Sequence, residues 1–377
     1  MLEKFKANIL FNILLKRPNI EKAYAMVDES DSWYDTISKV HKSLEEIQKL
    51  KHETLEILSA DNLKLRGIFY PNKQSDITVI CVHGYGSHAE REWAFPGLFY
   101  YSLGYNVLIP YLRAHGMSEG KKLSFGALET LDIFNWINKV NEINPDGKII
   151  LHGLSMGGGI VLDLANKEMK NVKCLIADAP SVSIEKFFKN VASEVFKNNS
   201  NLIAEYAIKR FNKEFKCDIA DFESVNIVAN SKYPILLSAG SEEHLEELFK
   251  KIKNVNPQDT DVIILPGCNH GNGMYKQTKM YQDYIKNFIN KYLNTISYPA
   301  VFSKDEESEG YNVTVPDIFG GVTCGDNYED AIYMAKDMIK LMLKEALGQC
   351  FPPKTYEETK NNFPNEEVIM IEVNLNS

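Results

Sequence analysis

Short apolar runs alternate with helix-length segments along residues 53–293, and this rhythm limits the fold more than any other feature. Six runs are rich in β-branched residues and end at or beside glycine, proline or aspartate: ITVICVHG, YNVLIPY, KIILHG, VKCLIADAP, YPILLSAG and DVIILPG. Such runs indicate buried strands, and the segments 125–140 and 157–168 between them have helical length. The alternation predicts an α/β domain with a mainly parallel sheet and helices on both faces.

The rhythm changes near residue 296, where the sequence predicts a second, smaller domain. GYNVTVPDI alternates apolar and polar side chains, as in a sheet with one solvated face. A helix should follow with Asp326 as N-cap and Gly348 as its end, and EVIMIEVNL should form a last strand. The expected order is β-β-β-α-β. The expected apolar stripe of the helix consists of Ala331, Met334, Ala335, Met338 and Met342.

A chain of 377 residues is long enough for two domains, and the expected division is 1–52, 53–295 and 296–377. Residues 1–52 should be helical. Their apolar run ANILFNILL is too short to cross a bilayer and lacks a cleavage site, so it indicates an amphipathic packed helix or contact with a membrane surface. Residues 181–230 interrupt the strands and predict a helical lid. The aromatic residues expected to border a substrate pocket, or to pack within the lid, are Phe187, Phe188, Phe196, Tyr206 and Phe211.

Charge divides the chain at the same point as the strand pattern. Residues 296–377 contain 6 Lys and Arg against 15 Asp and Glu, a net charge of −9, which equals the net charge of the whole chain. The first 295 residues are therefore neutral, and they hold all eight histidines. The six cysteines form no C-x-x-C pair, which favours a reducing, cytoplasmic location without a metal or other cofactor.

One serine stands where a strand gives way to a helix. Gly153-Leu154-Ser155-Met156-Gly157 matches the pattern G-x-S-x-G, in which glycines leave room for a nucleophile on a sharp turn. An apolar strand precedes this motif and a helical segment follows it, as the motif requires. The sequence therefore predicts Ser155 as a catalytic nucleophile.

Two further loops carry groups that a serine nucleophile needs. The stretch His83-Gly84-Tyr85-Gly86 closes an earlier strand, and the main-chain N–H groups of Tyr85 and Met156 are the expected oxyanion hole. The last strand of the series runs into LPGCNHGNG, which places His270 as the expected general base. His244 is the other histidine beyond the last-but-one strand.

These segments resemble the α/β-hydrolase superfamily over about residues 53–293, in particular bacterial esterases and peptidase-like hydrolases of the serine aminopeptidase type. The resemblance rests on VHGYGSH, GYNVLIPYLRAHGMSEG, LHGLSMGGG, LIADAPS and PGCNHG. It implies a Ser-acid-His triad whose acid follows the penultimate strand in an H-G-x-x-D motif. This chain has SAGSEEHLEEL, which puts Glu243 at the acid position, with Glu242 and Asp178 as alternatives.

The remaining residues resemble the HicB-like antitoxin module over nearly all of 296–377. The similar stretches are YPAVF, GYNVTVPDIFGGVTCGDNYEDAIYMAKDMI and EEVIMIEVNL. The resemblance implies a small basic ribonuclease toxin of the HicA kind as partner, and a net charge of −9 suits such a partner. Self-association, or packing of the module on the first domain, is the alternative. Direct nucleic-acid binding is not expected, because no DNA-binding segment follows the final strand.

Two functions of different classes follow from these patterns. The first is a serine hydrolase that cleaves an ester, or a short peptide or amide bond, and is fused to an acidic binding module. The second is a binding protein of antitoxin type whose hydrolase domain has degenerated. The complete set of serine, histidine and glycine residues favours the enzyme.

Overall fold

The computed structural model describes residues 2–19, 33–73, 75–257, 259–293, 295–305, 309–345 and 351–374. The chain divides into two compact units, Met1–Lys286 and Asn287–Ser377. The boundary between the two ranges falls within helix α11 (Thr278–Leu293).

The first unit is built on an eight-stranded sheet, which confirms the predicted α/β architecture. Its strands are β1 (Glu53–Leu58), β2 (Lys64–Tyr70), β3 (Ile77–Val82), β4 (Asn106–Pro110), β5 (Lys148–Leu154), β6 (Val172–Asp178), β7 (Ile235–Gly240) and β8 (Thr260–Leu265). They lie in the order β1-β2-β4-β3-β5-β6-β7-β8. Strands β3 to β8 pair in parallel, whereas β1 and β2 add an antiparallel edge. Every residue of β4 and β7 is buried, as expected for strands covered on both faces.

Helices cover both faces of this sheet. They are α1 (Leu2–Leu15), α2 (Ile37–Ile47), α3 (Ala89–Ser102), α4 (Glu129–Ile143), α5 (Met156–Asp163), α6 (Ile184–Val195), α7 (Ser200–Phe215), α8 (Ser224–Val228), α9 (Glu246–Val255) and α10 (Gly273–Lys276), followed by α11. Among the described residues, no helix has the length and apolar character needed to span a bilayer.

Parallel pairing brings the carboxyl ends of β5, β6, β7 and β8 to one edge of the sheet. Asp178 is the last residue of β6, and the segments that leave β5, β7 and β8 carry Ser155, Glu243 and His270. In open parallel sheets this edge is where ligands bind, so the topology alone gathers the candidate residues.

The insert at 181–230 is helical, but its aromatic side chains face the protein interior. Phe188 and Phe211 are fully buried in the core, and Phe187, Phe196 and Tyr206 pack against that core. Helix α1 packs against α7, which is one of the helices of the insert. Of the two roles expected for these aromatic residues, packing is therefore the one that the structure shows, and none of the five lines the cavity at Ser155.

The second unit is a four-stranded antiparallel sheet with helices. Its elements are β9 (Thr295–Lys304), β10 (Tyr311–Thr314), β11 (Val322–Gly325), α12 (Tyr328–Glu345), α13 (Tyr356–Asn362) and β12 (Glu367–Asn374), and the strand order is β11-β10-β9-β12. The predicted order of strands and main helix is confirmed, whereas α13 was not predicted. Its capping box is formed by Thr355 and Glu358.

Helix α12 differs in detail from its predicted form. Its N-cap is Asn327 rather than Asp326, because the Asn327 side chain accepts a hydrogen bond from Asp330 N at 3.0 Å. Its buried face consists of Ala331, Ala335 and Ile339, while Met334 is exposed. The predicted end at Gly348 lies outside the described residues.

Candidate active site

Ser155 occupies a strained turn between β5 and α5. Its φ is 57° and its ψ is −116°, in a region that non-glycine residues rarely adopt. The backbone is fixed by hydrogen bonds from Ser155 N to Asp178 O at 2.8 Å and from Ser181 N to Ser155 O at 3.0 Å. Holding one residue in such a conformation costs about 1–3 kcal/mol, and such strain is concentrated at functional sites.

The glycines on either side of Ser155 are required by close backbone contacts. A Cβ atom on Gly153 would collide with Gly157 O, and one on Gly157 would collide with Val82 O. The motif G-x-S-x-G therefore permits the backbone of the turn to pack directly against β3 and against itself.

Three of the predicted residues lie in one hydrogen-bonded row. His270 Nε2 is 2.9 Å from Ser155 Oγ, and His270 Nδ1 is 2.6 Å from Glu243 Oε2. The hydrogen bond that His270 donates to Glu243 raises the pKa of His270 above its ordinary value, partial burial opposes this, and the charges of Glu243 and Glu92 add to it. A hydroxyl, an imidazole and a carboxylate in this order can activate the hydroxyl oxygen for attack on a carbonyl.

Glu243 is held in place from two sides. It ends a short 3₁₀ turn, Ser241–Glu243, directly after β7. Its Oε1 accepts a hydrogen bond from Gly240 N at 2.8 Å, while its Oε2 faces His270. The carboxylate is therefore held facing the imidazole by hydrogen bonds on both of its oxygens.

The two alternative acids point elsewhere. Asp178 is buried and bonded to His152, to the hydroxyl of Ser238 and to the hydroxyl of Tyr281. Glu242 is exposed, and its Oε1 accepts a hydrogen bond from Ser241 Oγ at 3.0 Å. Of the three candidate acids, Glu243 is the one that the structure brings to His270.

The loop after β3 passes close to Ser155. A Cβ atom on Gly84 would stand 3.3 Å from Ser155 Cβ, so the glycine permits this approach. Within the described residues, the main-chain N–H groups of Tyr85 and Met156 donate to no protein acceptor. Both amides are thus available to a developing negative charge beside Ser155.

Side chains that the sequence did not single out fix this loop on both sides of Tyr85. Gly84 N donates to Glu92 Oε1 at 2.8 Å, and Gly86 N donates to His115 Nε2 at 3.1 Å. Burial lowers the pKa of His115, so the ring stays neutral and can accept this bond. Burial raises the pKa of Glu92 to about 7, although its bonds to Ser87 and Gly84 oppose the rise. Glu92 lies in no motif, and the stretch GYNVLIPYLRAHGMSEG that contains His115 does not reveal its contact with this distant loop.

A cavity of about 330 Å³ lies above Ser155. Its apolar lining comes from Trp33, Ile37, Val40, Leu154 and Tyr275, and its polar lining includes His41, Arg91 and Glu92. Residues 33–41 therefore form one wall of the pocket, a part that the sequence assigned only to a helical region. This wall is attached to the His270 loop, since Trp33 Nε1 donates to His270 O at 3.2 Å and Lys39 Nζ donates to Tyr275 O at 3.2 Å.

Within the described part of the chain, no group of three or more His, Cys, Asp or Glu side chains is placed to hold a metal ion.

Two family models match the chain. Residues 73–258 match the model described as serine aminopeptidase, S33, and residues 298–377 match that of the HicB-like antitoxin of bacterial toxin-antitoxin systems. The chain thus contains a segment similar to serine aminopeptidases, with the fold of the α/β hydrolases, and a segment similar to HicB-like antitoxins. Both resemblances inferred from the sequence are thereby confirmed.

Solved structures support the fold of the hydrolase domain. An esterase of Pyrococcus furiosus is 25% identical with a TM-score of 0.51, over 67% of this chain and 93% of that one. Est1E from Butyrivibrio proteoclasticus, solved with bound ferulic acid, is 17% identical with a TM-score of 0.51, over 63% of this chain and 99% of that one. The second likeness concerns the fold alone.

Curated relatives match shorter stretches. The multifunctional-autoprocessing repeats-in-toxin protein of Vibrio cholerae is 35% identical over 112 residues, which are 29% of this chain and 2% of that protein. The Bacillus subtilis protein YqkD is 30% identical over 142 residues, which are 37% of this chain and 46% of that protein. The chain thus matches a small part of the toxin and less than half of the Bacillus protein.

Proposed function

We propose that the hydrolase domain is a serine hydrolase that cleaves carboxylic esters. The observation that carries this proposal is the row of Ser155, His270 and Glu243, with separations of 2.9 and 2.6 Å. The strained turn at Ser155 and the amides of Tyr85 and Met156 beside it supply the other parts that ester hydrolysis needs.

The reaction proceeds through an acyl-enzyme. Ser155 Oγ attacks the ester carbonyl carbon while His270 Nε2 takes the hydroxyl proton, and Glu243 stabilises the imidazolium that forms. The N–H groups of Tyr85 and Met156 stabilise the oxyanion of the tetrahedral intermediate. The C–O bond to the alcohol then breaks, and the alcohol leaves with the proton from His270. Water attacks the acyl carbon with His270 as base, which releases the acid and restores Ser155.

The pocket favours an ester with an apolar acyl group. Its volume of about 330 Å³ suits a small molecule, and aromatic and aliphatic side chains form much of its wall. The likeness to an esterase of Pyrococcus furiosus agrees with this choice.

Cleavage of an aminoacyl amide is the second candidate, and one observation favours it. Glu92 places a carboxyl group in a largely apolar pocket, where it can pair with the ammonium group of a substrate. The family description serine aminopeptidase agrees with this alternative.

A substrate panel separates these candidates. The full chain is assayed against neutral esters of increasing acyl length and against aminoacyl amides, and a burst of acyl-enzyme is measured with a generic ester. Turnover of the neutral esters supports the esterase, and turnover of the amides alone replaces it with the aminopeptidase. If no substrate gives a burst and a fluorophosphonate fails to label Ser155, the chain acts as a binding protein with a degenerate hydrolase domain.

For the HicB-like domain we propose binding to a small basic protein, such as a toxin of the HicA kind. The family description names an antitoxin, and the net charge of −9 in residues 296–377 suits a basic partner. The test is a titration of the full chain with a HicA-type toxin at low and high salt. Binding that weakens with salt supports the proposal, whereas self-association without toxin binding replaces it.

We further propose that the boundary near residue 295 separates the two activities. Every residue assigned to ester cleavage lies before this boundary, and the net negative charge of the chain lies after it. A chain ending at residue 294 should keep the turnover per active site of the full chain. Loss of activity in a folded truncated chain would contradict this division.

A further inference from the structure

Helix α1 is apolar on two opposite faces, but only one of them packs against the protein. The buried face consists of Ala7, Leu10, Phe11, Leu14 and Leu15 and packs against α7. On the other face Leu2, Phe5, Ile9 and Ile13 are 59%, 63%, 37% and 56% exposed. Their spacings of three and four residues place them in one stripe along the helix. Single exposed apolar residues are ordinary, whereas a contiguous row of four marks an interaction surface.

Basic side chains border this stripe. Residues 2–17 contain four Lys and Arg and one Glu, so this segment carries a net charge of +3 within a neutral first 295 residues. Lys6 and Lys16 occupy helical positions beside the stripe, and Lys16 continues the helix because its N–H donates to Asn12 O. Arg17 instead anchors the end of the helix, since its guanidinium donates to the main-chain oxygens of Ser118 and Gly120.

The stripe is continuous with the mouth of the candidate active site. An open groove of about 720 Å³ starts at Ile9 and Ile13, passes Pro18 and reaches Tyr85. Tyr85 also lines the cavity above Ser155. A surface that contacts the stripe would therefore lie next to the pocket.

We propose that the exposed stripe of α1 docks the protein on an anionic lipid bilayer. The apolar side chains enter the headgroup boundary, and the flanking lysines contact acidic headgroups. The docking does not depend on hydrolysis. A second part of the inference, which rests on the proposed ester cleavage, is that docking delivers an acyl chain from the bilayer along the groove to Ser155.

A bilayer fits this surface better than a protein partner does. A stable protein interface buries about 800 Å² on each side, and α1 offers one convex helical stripe. An amphipathic helix binds a bilayer by sinking only about 5–10 Å into the interface, with basic residues adding attraction to acidic lipids.

The docking is tested by sedimentation of the full chain with vesicles of phosphatidylcholine alone and with added phosphatidylserine. Leu2→Gln combined with Phe5→Gln, both outside the groove, should lower the affinity for the mixed vesicles by at least about tenfold, since two apolar side chains no longer leave water. The matched control combines Leu131→Gln with Ile143→Gln on α4, which are 51% and 44% exposed, and should bind as the unaltered chain does. Lys6→Gln with Lys16→Gln should weaken binding to the mixed vesicles alone by about tenfold or more.

Three outcomes overturn the docking proposal. The unaltered chain fails to bind the mixed vesicles, the Leu2 and Phe5 variant binds as tightly as the control, or that variant changes only the oligomeric state in the absence of lipid. The last result assigns the stripe to contact between copies of the chain. Circular dichroism melts establish that both variants are folded.

The delivery step has a separate readout. A short water-soluble ester should be hydrolysed equally by the unaltered chain and the Leu2 and Phe5 variant, whereas a long-chain ester embedded in mixed vesicles should be hydrolysed at least about tenfold more slowly by the variant. Equal hydrolysis of the embedded ester overturns delivery. Ser155→Ala should bind vesicles as the unaltered chain does. If the unaltered chain binds vesicles through the stripe but hydrolyses neither ester, the proposed function is refuted and the docking proposal stands.

Discussion

The hydrolase domain contains two histidine–carboxylate pairs at the same edge of its sheet, and their surroundings differ. His270 Nδ1 and Glu243 Oε2 are 2.6 Å apart, and the other ring nitrogen, Nε2, faces Ser155 beside a cavity. His152 and Asp178 are 3.1 Å apart, and both are buried. We call these the open pair and the closed pair.

The third partner distinguishes the two pairs. In the closed pair, His152 Nδ1 lies 2.7 Å from the hydroxyl of Tyr100, and Asp178 is also bonded to the hydroxyls of Ser238 and Tyr281. Every polar group is satisfied within the protein, which suits a structural network. In the open pair the imidazole ends at a serine on a strained turn, where a substrate can reach it. The residue types alone therefore do not indicate which pair carries chemistry.

The largest expected effect is that of Ser155→Ala, which removes the hydroxyl that only the open pair contacts. Turnover of the best ester should fall by on the order of 10⁵–10⁶, as for nucleophile removal in serine hydrolases generally, while the melting temperature stays close to its original value. Steady-state kinetics and fluorophosphonate labelling measure the loss. Ser181→Ala changes an exposed serine of the adjacent loop and is the control. Activity above a few per cent in Ser155→Ala would refute the nucleophile.

The second prediction exchanges the acids of the two pairs for amides. Glu243→Gln should lower kcat by about 10⁴ with little change in stability, because the amide holds the wrong imidazole tautomer. Asp178→Asn should instead lower the free energy of unfolding by about 1–3 kcal/mol, since it disturbs a buried network, and should largely keep the activity of the folded fraction. Kinetics and thermal melts on both variants check this. If Asp178→Asn damages kcat and Glu243→Gln is silent, the roles of the pairs are reversed.

The parts of the site that the sequence predicted are those with local signals. Strand runs that end at glycine or aspartate located the sheet edge, and G-x-S-x-G located Ser155 because its glycines are needed for close backbone contacts. Position at the sheet edge could not separate Glu243 from Asp178, since both follow parallel strands. The short 3₁₀ turn that carries Glu243 to His270 becomes visible only in three dimensions.

The pocket wall could not be predicted, because it joins distant parts of the chain. Trp33 and His270 are 237 positions apart, and their hydrogen bond has no sequence pattern. The aromatic residues of the insert were plausible pocket residues by composition, but they lie in the core or pack against it. The sequence shows which apolar side chains tend to be buried, but it does not show against which surface they pack.

The third prediction concerns Trp33, which lines the cavity beside the open pair. Trp33→Ala removes an apolar pocket surface and the hydrogen bond to His270 O, so KM for an apolar ester should rise about tenfold with a smaller change in kcat. Michaelis–Menten kinetics measure the two parameters separately. Tyr34→Ala alters the neighbouring residue, which is 46% exposed, and should leave both unchanged. Equal effects of the two variants would remove Trp33 from the substrate site.

The smallest expected effect is a shift in the pH profile of the open pair. Attack by Ser155 requires neutral His270, so kcat/KM should rise with pH through a pKa above the ordinary 6.5, which Glu243 raises most and Glu92 raises further. The pKa of Glu92 is itself about 7, so its charge develops over the same pH range and broadens the inflection.

Glu92→Gln keeps an acceptor for Gly84 N but removes this charge. The inflection should then become sharper and move to lower pH by less than about one unit, which raises activity near pH 6 relative to the plateau. Glu142→Gln, at a side chain that is 66% exposed, is the control and should leave the profile unchanged. An unchanged inflection in Glu92→Gln would show that Glu243 alone sets the pKa of the open pair, and a shift to higher pH would contradict the sign derived from the structure.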